Sequence, residues 1–260
     1  MESEFAKRAK KSLGQNFLVH EPTLRAISTA VGLCGRNVLE VGPGYGALTE
    51  YLLEEQPDQL HLVELDNTLV EHLRGRMDDE WLGKNVSLSH VDILEYRPKW
   101  DHYSVVANIP YYITSPILFR FLYEISNPPE HMVILMQREV ADRIIADDGK
   151  SSLLSLALWD RCVSIVRIAD VPARYFRPAP KVDSVVLRFD VDTNKTPDQD
   201  FVELLKRGFS QPRKKLSGNL AGDRTKTEIE AILESLSIRA DARPESLGLS
   251  QWRTLSRMLQ

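Results

Sequence analysis

Seven short runs rich in Val, Ile and Leu recur along this 260-residue chain, and stretches of helical periodicity separate most of them. The apolar runs fall at 38–41, 60–65, 86–90, 104–107, 131–136, 164–168 and 184–189, and the helical patterns between them at 48–55, 68–77, 116–124, 140–146 and 153–161. A strand, a helix and a second strand in succession make a βαβ unit, whose crossover returns the chain as a parallel neighbour. The alternation therefore predicts an α/β fold on a mostly parallel, seven-stranded sheet. Between the last two runs lies only a proline-rich loop, Pro172 to Pro180, which predicts an antiparallel, hairpin-like edge. From Asp190 to Asp200 the sequence turns polar and acidic and reads as a linker. Beyond it, helical patterns at 201–209, 213–220, 227–236 and 250–259 carry no strand signal, with Thr196-Pro197 and Ser250 as start signals. The expected organisation is an α/β domain at 1–190 and a small all-helical domain at 191–260.

Composition removes several classes. No apolar run reaches the roughly 18 residues that a membrane-crossing helix needs. Lys7, Arg8, Lys10 and Lys11 precede no apolar stretch, which argues against a secretory signal. Cys34 and Cys162 lie far apart with no histidine at ligand spacing, so neither a metal site nor a disulfide is expected, and a reducing cytoplasm fits. No apolar stripe suggests self-association; a monomer without membrane contact is the expectation.

The chemistry concentrates where strands should end. After the first run comes Gly42-Pro43-Gly44-Tyr45-Gly46, whose glycines permit a tight turn and close approach of backbone to a ligand. Dinucleotide sites space glycines as Gly-x-Gly-x-x-Gly; here they alternate, with Pro43 between the first two, which argues against a nicotinamide dehydrogenase. Glu64 ends the second run and suits a ribose diol, or caps the next helix. Asp92 follows the third and is placed to accept from an adenine amine, or makes a turn. Asn108-Ile109-Pro110-Tyr111 follows the fourth. The Asn108 carboxamide oxygen and the Ile109 carbonyl can each accept one hydrogen of an exocyclic base amine. Pro110 fixes its own φ and biases Ile109 toward extended backbone, and Tyr111 offers a face to an unstacked base. Alone, such a tetrapeptide also marks a plain turn. In an open α/β sheet, however, Gly42, Glu64, Asp92 and Asn108 all meet at the carboxyl edge, where ligands bind.

With these residues, and with Ser12-Leu13-Gly14-Gln15-Asn16-Phe17-Leu18, Phe176-Arg177-Pro178-Ala179-Pro180-Lys181-Val182-Asp183-Ser184 and Phe209-Ser210-Gln211-Pro212-Arg213-Lys214-Lys215, the chain resembles a known family. It is similar to the small-subunit ribosomal RNA adenine N6,N6-dimethyltransferases of the KsgA type, within the class I S-adenosylmethionine-dependent methyltransferases. The resemblance implies a Rossmann-like class I methyltransferase fold, S-adenosyl-L-methionine as cofactor, and dimethylation of two adjacent adenines near the 3′ end of 16S ribosomal RNA in a pre-ribosomal particle. It implies cofactor contacts from Asn16, Leu18, Gly42, Glu64, Asp92 and Asn108, with Gln15 and Leu65 as secondary lining. Asn108, Pro110, Tyr111 and Phe176 would handle the target base, the two rings stacking on its faces. One departure stands out: family members often read Tyr-Gly-Arg-Leu-Ser where this chain has Ser151-Ser152-Leu153-Leu154-Ser155.

The formal net charge of −4 speaks mildly against a nucleic-acid binder, but local clustering decides phosphate contact. From Glu203 to Lys226, Lys206, Arg207, Arg213, Lys214, Lys215, Arg224 and Lys226 outnumber Glu203 and Asp223. Arg174, Arg177, Lys181 and Arg188 surround the Phe176 loop in sequence, and Lys7 to Lys11 add a third cluster. Each alone reads as a solvated face; three flanking one candidate pocket suggest phosphate contacts. Alternatives are a large-subunit (23S) adenine dimethyltransferase conferring macrolide resistance, an assembly factor with catalysis secondary, and an oxidoreductase.

Overall fold

The computed structural model describes residues 15–146, 150–222 and 224–259. The N-terminal basic cluster and Ser12 to Gly14 lie outside them. Among the described residues nine strands form: β1 (Phe17–Leu18), β2 (Asn37–Val41), β3 (Gln59–Glu64), β4 (Val86–His90), β5 (Ser104–Asn108), β6 (His131–Gln137), β7 (Cys162–Val171), β8 (Phe176–Arg177) and β9 (Ser184–Val191). All seven apolar runs of the sequence thus become strands. Their sheet has the order β4-β3-β2-β5-β6-β9-β7. The pairs β2–β3, β2–β5, β3–β4 and β5–β6 are parallel, whereas β9 runs antiparallel to β6. Near-continuous Val and Leu in β2, β5 and β6 follow from burial on both faces of a helix-covered sheet. The final two runs are neighbours, as expected, with β7 at the edge.

The strand order reverses between β2 and β5: β3 and β4 lie on one side, β6 onward on the other. Helices leaving β2 and β5 therefore depart to opposite faces, opening a crevice at the carboxyl ends of these two strands. A second, two-stranded sheet that the sequence did not announce pairs β1 with β8, matching Phe17 to Arg177 and Leu18 to Phe176. Only two residues long on each side, it falls below the length at which an alternating pattern is visible.

Local chemistry explains the helix starts. Asp66 caps Asn67–Asp79 by accepting from the Thr68 N–H, and Ser152 and Ser155 close a capping box on Leu153–Arg161. In the C-terminal part, Asp198 caps Gln199–Gly208 through the Phe201 N–H, so the start lies after Thr196-Pro197. The pattern expected at 213–220 yields a helix only at Leu216–Leu220, and Arg213, Lys214 and Lys215 stay exposed outside it. Beyond Thr114–Phe119, Arg120–Glu124 continues with π geometry.

Two compact units form, and they do not follow the expected 190/191 boundary, which falls inside β9. One comprises residues up to Ala141 with Val163–Asn194; the other comprises Asp142–Cys162 and the residues from Lys195 onward. Helix Leu153–Arg161 thus belongs with the C-terminal helices. Its Asp160, almost wholly buried, accepts from Lys195 Nζ at 2.6 Å and from Arg253 Nε at 2.7 Å. Arg253 in turn donates to Asp198 at 2.6 Å and lies over the Phe201 ring. A desolvated carboxylate held by two cations joins segments that are distant in sequence, so no local pattern reveals it.

Candidate active site

A cavity of about 320 Å³ opens at the carboxyl ends of β2, β3 and β5, at the reversal point of the sheet. Its walls bring together Asn16, Leu18, Gly42, Glu64, Asp92 and Asn108, and with them Pro110, Tyr111 and Phe176. Gln15 and Leu65 line it too. Residues as far apart as Gln15 and Phe176 thus face one space, which is the juxtaposition the strand-end reading requires.

The glycine turn after β2 is shaped by what surrounds it. Gly42 adopts φ +67°, and a Cβ there would sit 3.3 Å from Ile109 Cγ2 and 3.5 Å from the Asn108 carbonyl oxygen. Gly44 adopts φ +62°, and its Cβ would meet the Phe17 ring at 3.1 Å. A side chain at either position would be strained in backbone and crowded against the opposite wall. The first glycine therefore packs directly on the Asn108-Ile109 segment, tying the turn to the end of β5.

Beneath the turn, Glu40 is 1% exposed and accepts from Thr49 Oγ1 at 2.7 Å. Burial pushes its carboxyl up to about 8, the Thr49 hydrogen bond opposes this, and the Glu64 charge adds to it. Glu40 is consequently mostly neutral at pH 7. Glu64 accepts backbone N–H groups from Leu65 and Asp66 at 2.9 Å each and from Gly44 at 3.2 Å. Burial raises its carboxyl above the ordinary range and these three donors pull it back. Capping falls to Asp66, not Glu64. The Glu64 Oε2 atom, holding one long hydrogen bond, retains acceptor capacity toward a hydroxyl in the cavity. Asp92 lines the cavity and also closes a turn by accepting from the Leu94 N–H at 2.9 Å.

Asn108 is the last residue of β5 and half-buried, and Ile109 is 5% exposed. Pro110, at φ −56°, leads into the 3-10 turn Tyr111–Ile113. The Tyr111 hydroxyl meets Ser184 Oγ at 2.7 Å, fixing the ring; burial raises its phenol and the Ser184 bond opposes that. Phe176 is 1% exposed and belongs to the hydrophobic core while also lining the cavity, so it anchors its loop and supplies a wall at once. Its strand partner Leu18 brings the Asn16 segment alongside. Sequence reasoning missed Glu40 and Tyr112 as cavity residues. Glu40, two positions before Gly42 and between Leu39 and Val41, was the available signal.

Among the basic residues, Arg188 is not at the cavity. It sits in β9 at the register of Val133, donates to the Ala30 carbonyl at 3.1 Å and pairs with Asp190. Arg174 lies over the Tyr175 ring, and Arg177 donates to the Arg174 and Phe176 carbonyls of its own loop. In the helical unit, Lys206 pairs with Glu203 and Lys226 with Glu230. Among the described residues no group of three or more His, Cys, Asp or Glu could hold a metal, and no helix is long and apolar enough to cross a membrane.

The fit to a nucleoside-bearing sulfonium cofactor is chemical. The turn allows backbone approach, Glu64 and Asp92 offer acceptors at successive strand ends, and apolar walls from Leu18, Ile93 and Leu48 surround them. Comparison with known proteins identifies the family. A family model described as "Ribosomal RNA adenine dimethylase" matches residues 6–260. "Ribosomal RNA small subunit methyltransferase A" of Mycoplasma mobile is 34% identical over 250 residues, covering 95% of this chain and 96% of its relative. The protein of that name from Acaryochloris marina is 37% identical over 267 residues, covering 96% of both. Among solved structures, a dimethyladenosine transferase from Plasmodium falciparum superposes with TM-score 0.77 at 24% identity, covering 92% of this chain and 95% of that one, and shares the fold. The 23S rRNA methyltransferase ErmE superposes with TM-score 0.71 at 26% identity, covering 94% and 99%.

Proposed function

Because the chain belongs to the ribosomal RNA adenine dimethylase family, we propose that its cavity performs S-adenosyl-L-methionine-dependent dimethylation of two adjacent adenines near the 3′ end of 16S ribosomal RNA. The observation that carries the reading is the convergence of Gly42, Glu64, Asp92 and Asn108 on one cavity that Tyr111 and Phe176 also line. The small-subunit assignment follows the names of relatives 34% and 37% identical.

When bound, S-adenosyl-L-methionine supplies an electrophilic methyl on a sulfonium centre. The residues of the chain do the rest. Gly42 would let the backbone approach; Glu64 would take the ribose hydroxyls and Asp92 the adenine amine of the cofactor; Asn16 and Leu18 would close the near wall. At the first transfer Asn108 and the Ile109 carbonyl would each accept one hydrogen of the target N6 amine, whose lone pair is otherwise delocalised into the ring; the monomethylated amine keeps one hydrogen, which one of the two acceptors would take at the second transfer. Accepting the hydrogens that the nitrogen carries favours a pyramidal amine with a localised lone pair, so catalysis is positioning plus hydrogen bonds that strengthen in the transition state. No side chain of matched pKa is required, because the alkylated amine is acidic and loses its proton to solvent. The target base leaves its stack at a cost of a few kcal/mol, offset by stacking on Tyr111 and Phe176 at about 1–3 kcal/mol per base.

The α/β unit is the catalytic part, and the helical unit, with exposed Arg213, Lys214 and Lys215, contacts RNA phosphates. The working form is a cytoplasmic monomer engaging a pre-ribosomal particle. Asn108→Ala should abolish turnover with only a modest loss of cofactor affinity, read by a radiolabelled-methyl assay beside isothermal titration. Retained turnover would overturn the mechanism. Primer extension on undermodified subunits locates the product; methylation confined to large-subunit RNA would replace the small-subunit assignment.

A further inference from the structure

Tyr111 and Tyr112 are consecutive on one 3-10 turn and both line the cavity, yet their surroundings differ sharply. Tyr111 is half-buried with its hydroxyl held by Ser184 at 2.7 Å. Tyr112 is 64% exposed, the most exposed aromatic among the large exposed apolar side chains described. A ring that forms part of a cavity wall while most of it faces solvent stands at the mouth. Val19 and Leu65 also line the cavity and are exposed, but they are aliphatic and offer no π face.

A polynucleotide that places one base in the cavity must carry the nucleotide next to it across that mouth, because the backbone joins them. That neighbour loses a stacking partner when the target base leaves, and its exposed face seeks another. We infer that Tyr112 is a second nucleobase platform, stacking on the nucleotide adjacent to the target and holding the strand in its unstacked form. This inference rests on the cavity being the base pocket. It divides the two tyrosines by role: the fixed ring of Tyr111 receives the reacting base, and the exposed ring of Tyr112 holds its neighbour. Because the target is one of two adjacent adenines, the same platform would serve each in turn. It takes any base, since every base has a π face.

The test compares Tyr112→Ala, Tyr112→Leu and Tyr112→Phe in the full chain, with undermodified small subunits as substrate. Reading kcat and KM for the subunit, with cofactor Kd and Tm beside them, separates stacking from structure. Loss of a solvent-facing stack, at the low end of base–aromatic values of about 1 kcal/mol, should raise KM for the subunit about fivefold in the Ala and Leu variants. Tyr112→Phe should stay within about twofold of the parent, and cofactor Kd and Tm should be unchanged in all three. Wild-type KM in Tyr112→Leu, or a Phe variant as impaired as Ala, would overturn the inference. Should Ala unfold the chain, the Leu and Phe pair alone decides. Failure of the parent itself to methylate subunits would instead refute the proposed function, so the two failures are distinguishable.

Discussion

Replacing Glu40 with Gln removes an ionisable group from beneath the glycine turn while keeping an oxygen that accepts the Thr49 hydroxyl. In the folded chain the Glu40 carboxyl titrates at about 8, against an ordinary value of 4.5. A raised folded value means that the folded state holds its proton after the unfolded chain has lost it. The stability this contributes is therefore complete below about pH 4.5 and is lost progressively as pH rises toward 8. At about 1.4 kcal/mol per unit, stability falls by about 2 to 3 kcal/mol between pH 5.5 and 7.5 from this group alone. Glu40→Gln should remove that fall. Urea unfolding of both proteins at pH 5.5, 6.5 and 7.5 measures it, and the variant-minus-parent difference isolates Glu40 from every other group. With the hydrogen bond kept, the variant should lie about 1 to 2 kcal/mol above the parent at pH 5.5, where unfolded Glu40 is already ionised, and further above it at pH 7.5. A constant difference across the three pH values would show that Glu40 is ionised in the folded protein and refute the reasoning.

Three further outcomes follow from the same geometry. Gly44→Ala forces an L side chain to φ +62° and places its Cβ 3.1 Å from Phe17; it should cost about 1–2 kcal/mol of stability and weaken cofactor binding by about tenfold, read by thermal melting and titration calorimetry. Ser184→Ala strips the Tyr111 hydroxyl of its 2.7 Å partner. It should lower kcat several-fold with cofactor affinity intact, and a combined loss of both would point to general unfolding. Asp160→Ala leaves Arg253 and Lys195 without their shared carboxylate and should destabilise the helical unit by about 3 kcal/mol, read by urea titration. Separately, subunit binding should weaken steeply between about 50 and 200 mM salt if the exposed cations meet phosphates; a flat dependence would remove the RNA role of the helical unit.

The alternation of apolar runs with helical patterns contained the sheet, because period and length are local properties that burial on both faces of a parallel strand imposes directly. The strand-end residues Gly42, Glu64, Asp92 and Asn108 were legible for the same reason: once the strands are known, a shared carboxyl edge follows. Other features depended on contacts between distant segments. The β1–β8 pairing that sets Leu18 beside Phe176, the Ser184 hydroxyl that fixes Tyr111, and the Asp160 cluster that draws helix Leu153–Arg161 to the C-terminal unit carry no periodic signal. Arg188 illustrates the converse. Sequence proximity put it with the Phe176 loop, yet an eight-residue antiparallel strand carried it toward the other end of the sheet, to Asp190 and the Ala30 carbonyl. What a chain repeats along its length, it states in its sequence; the neutral state of Glu40, the clamp on Tyr111 and the exposure of Tyr112 arise only when folding withdraws water from some groups and leaves it around others.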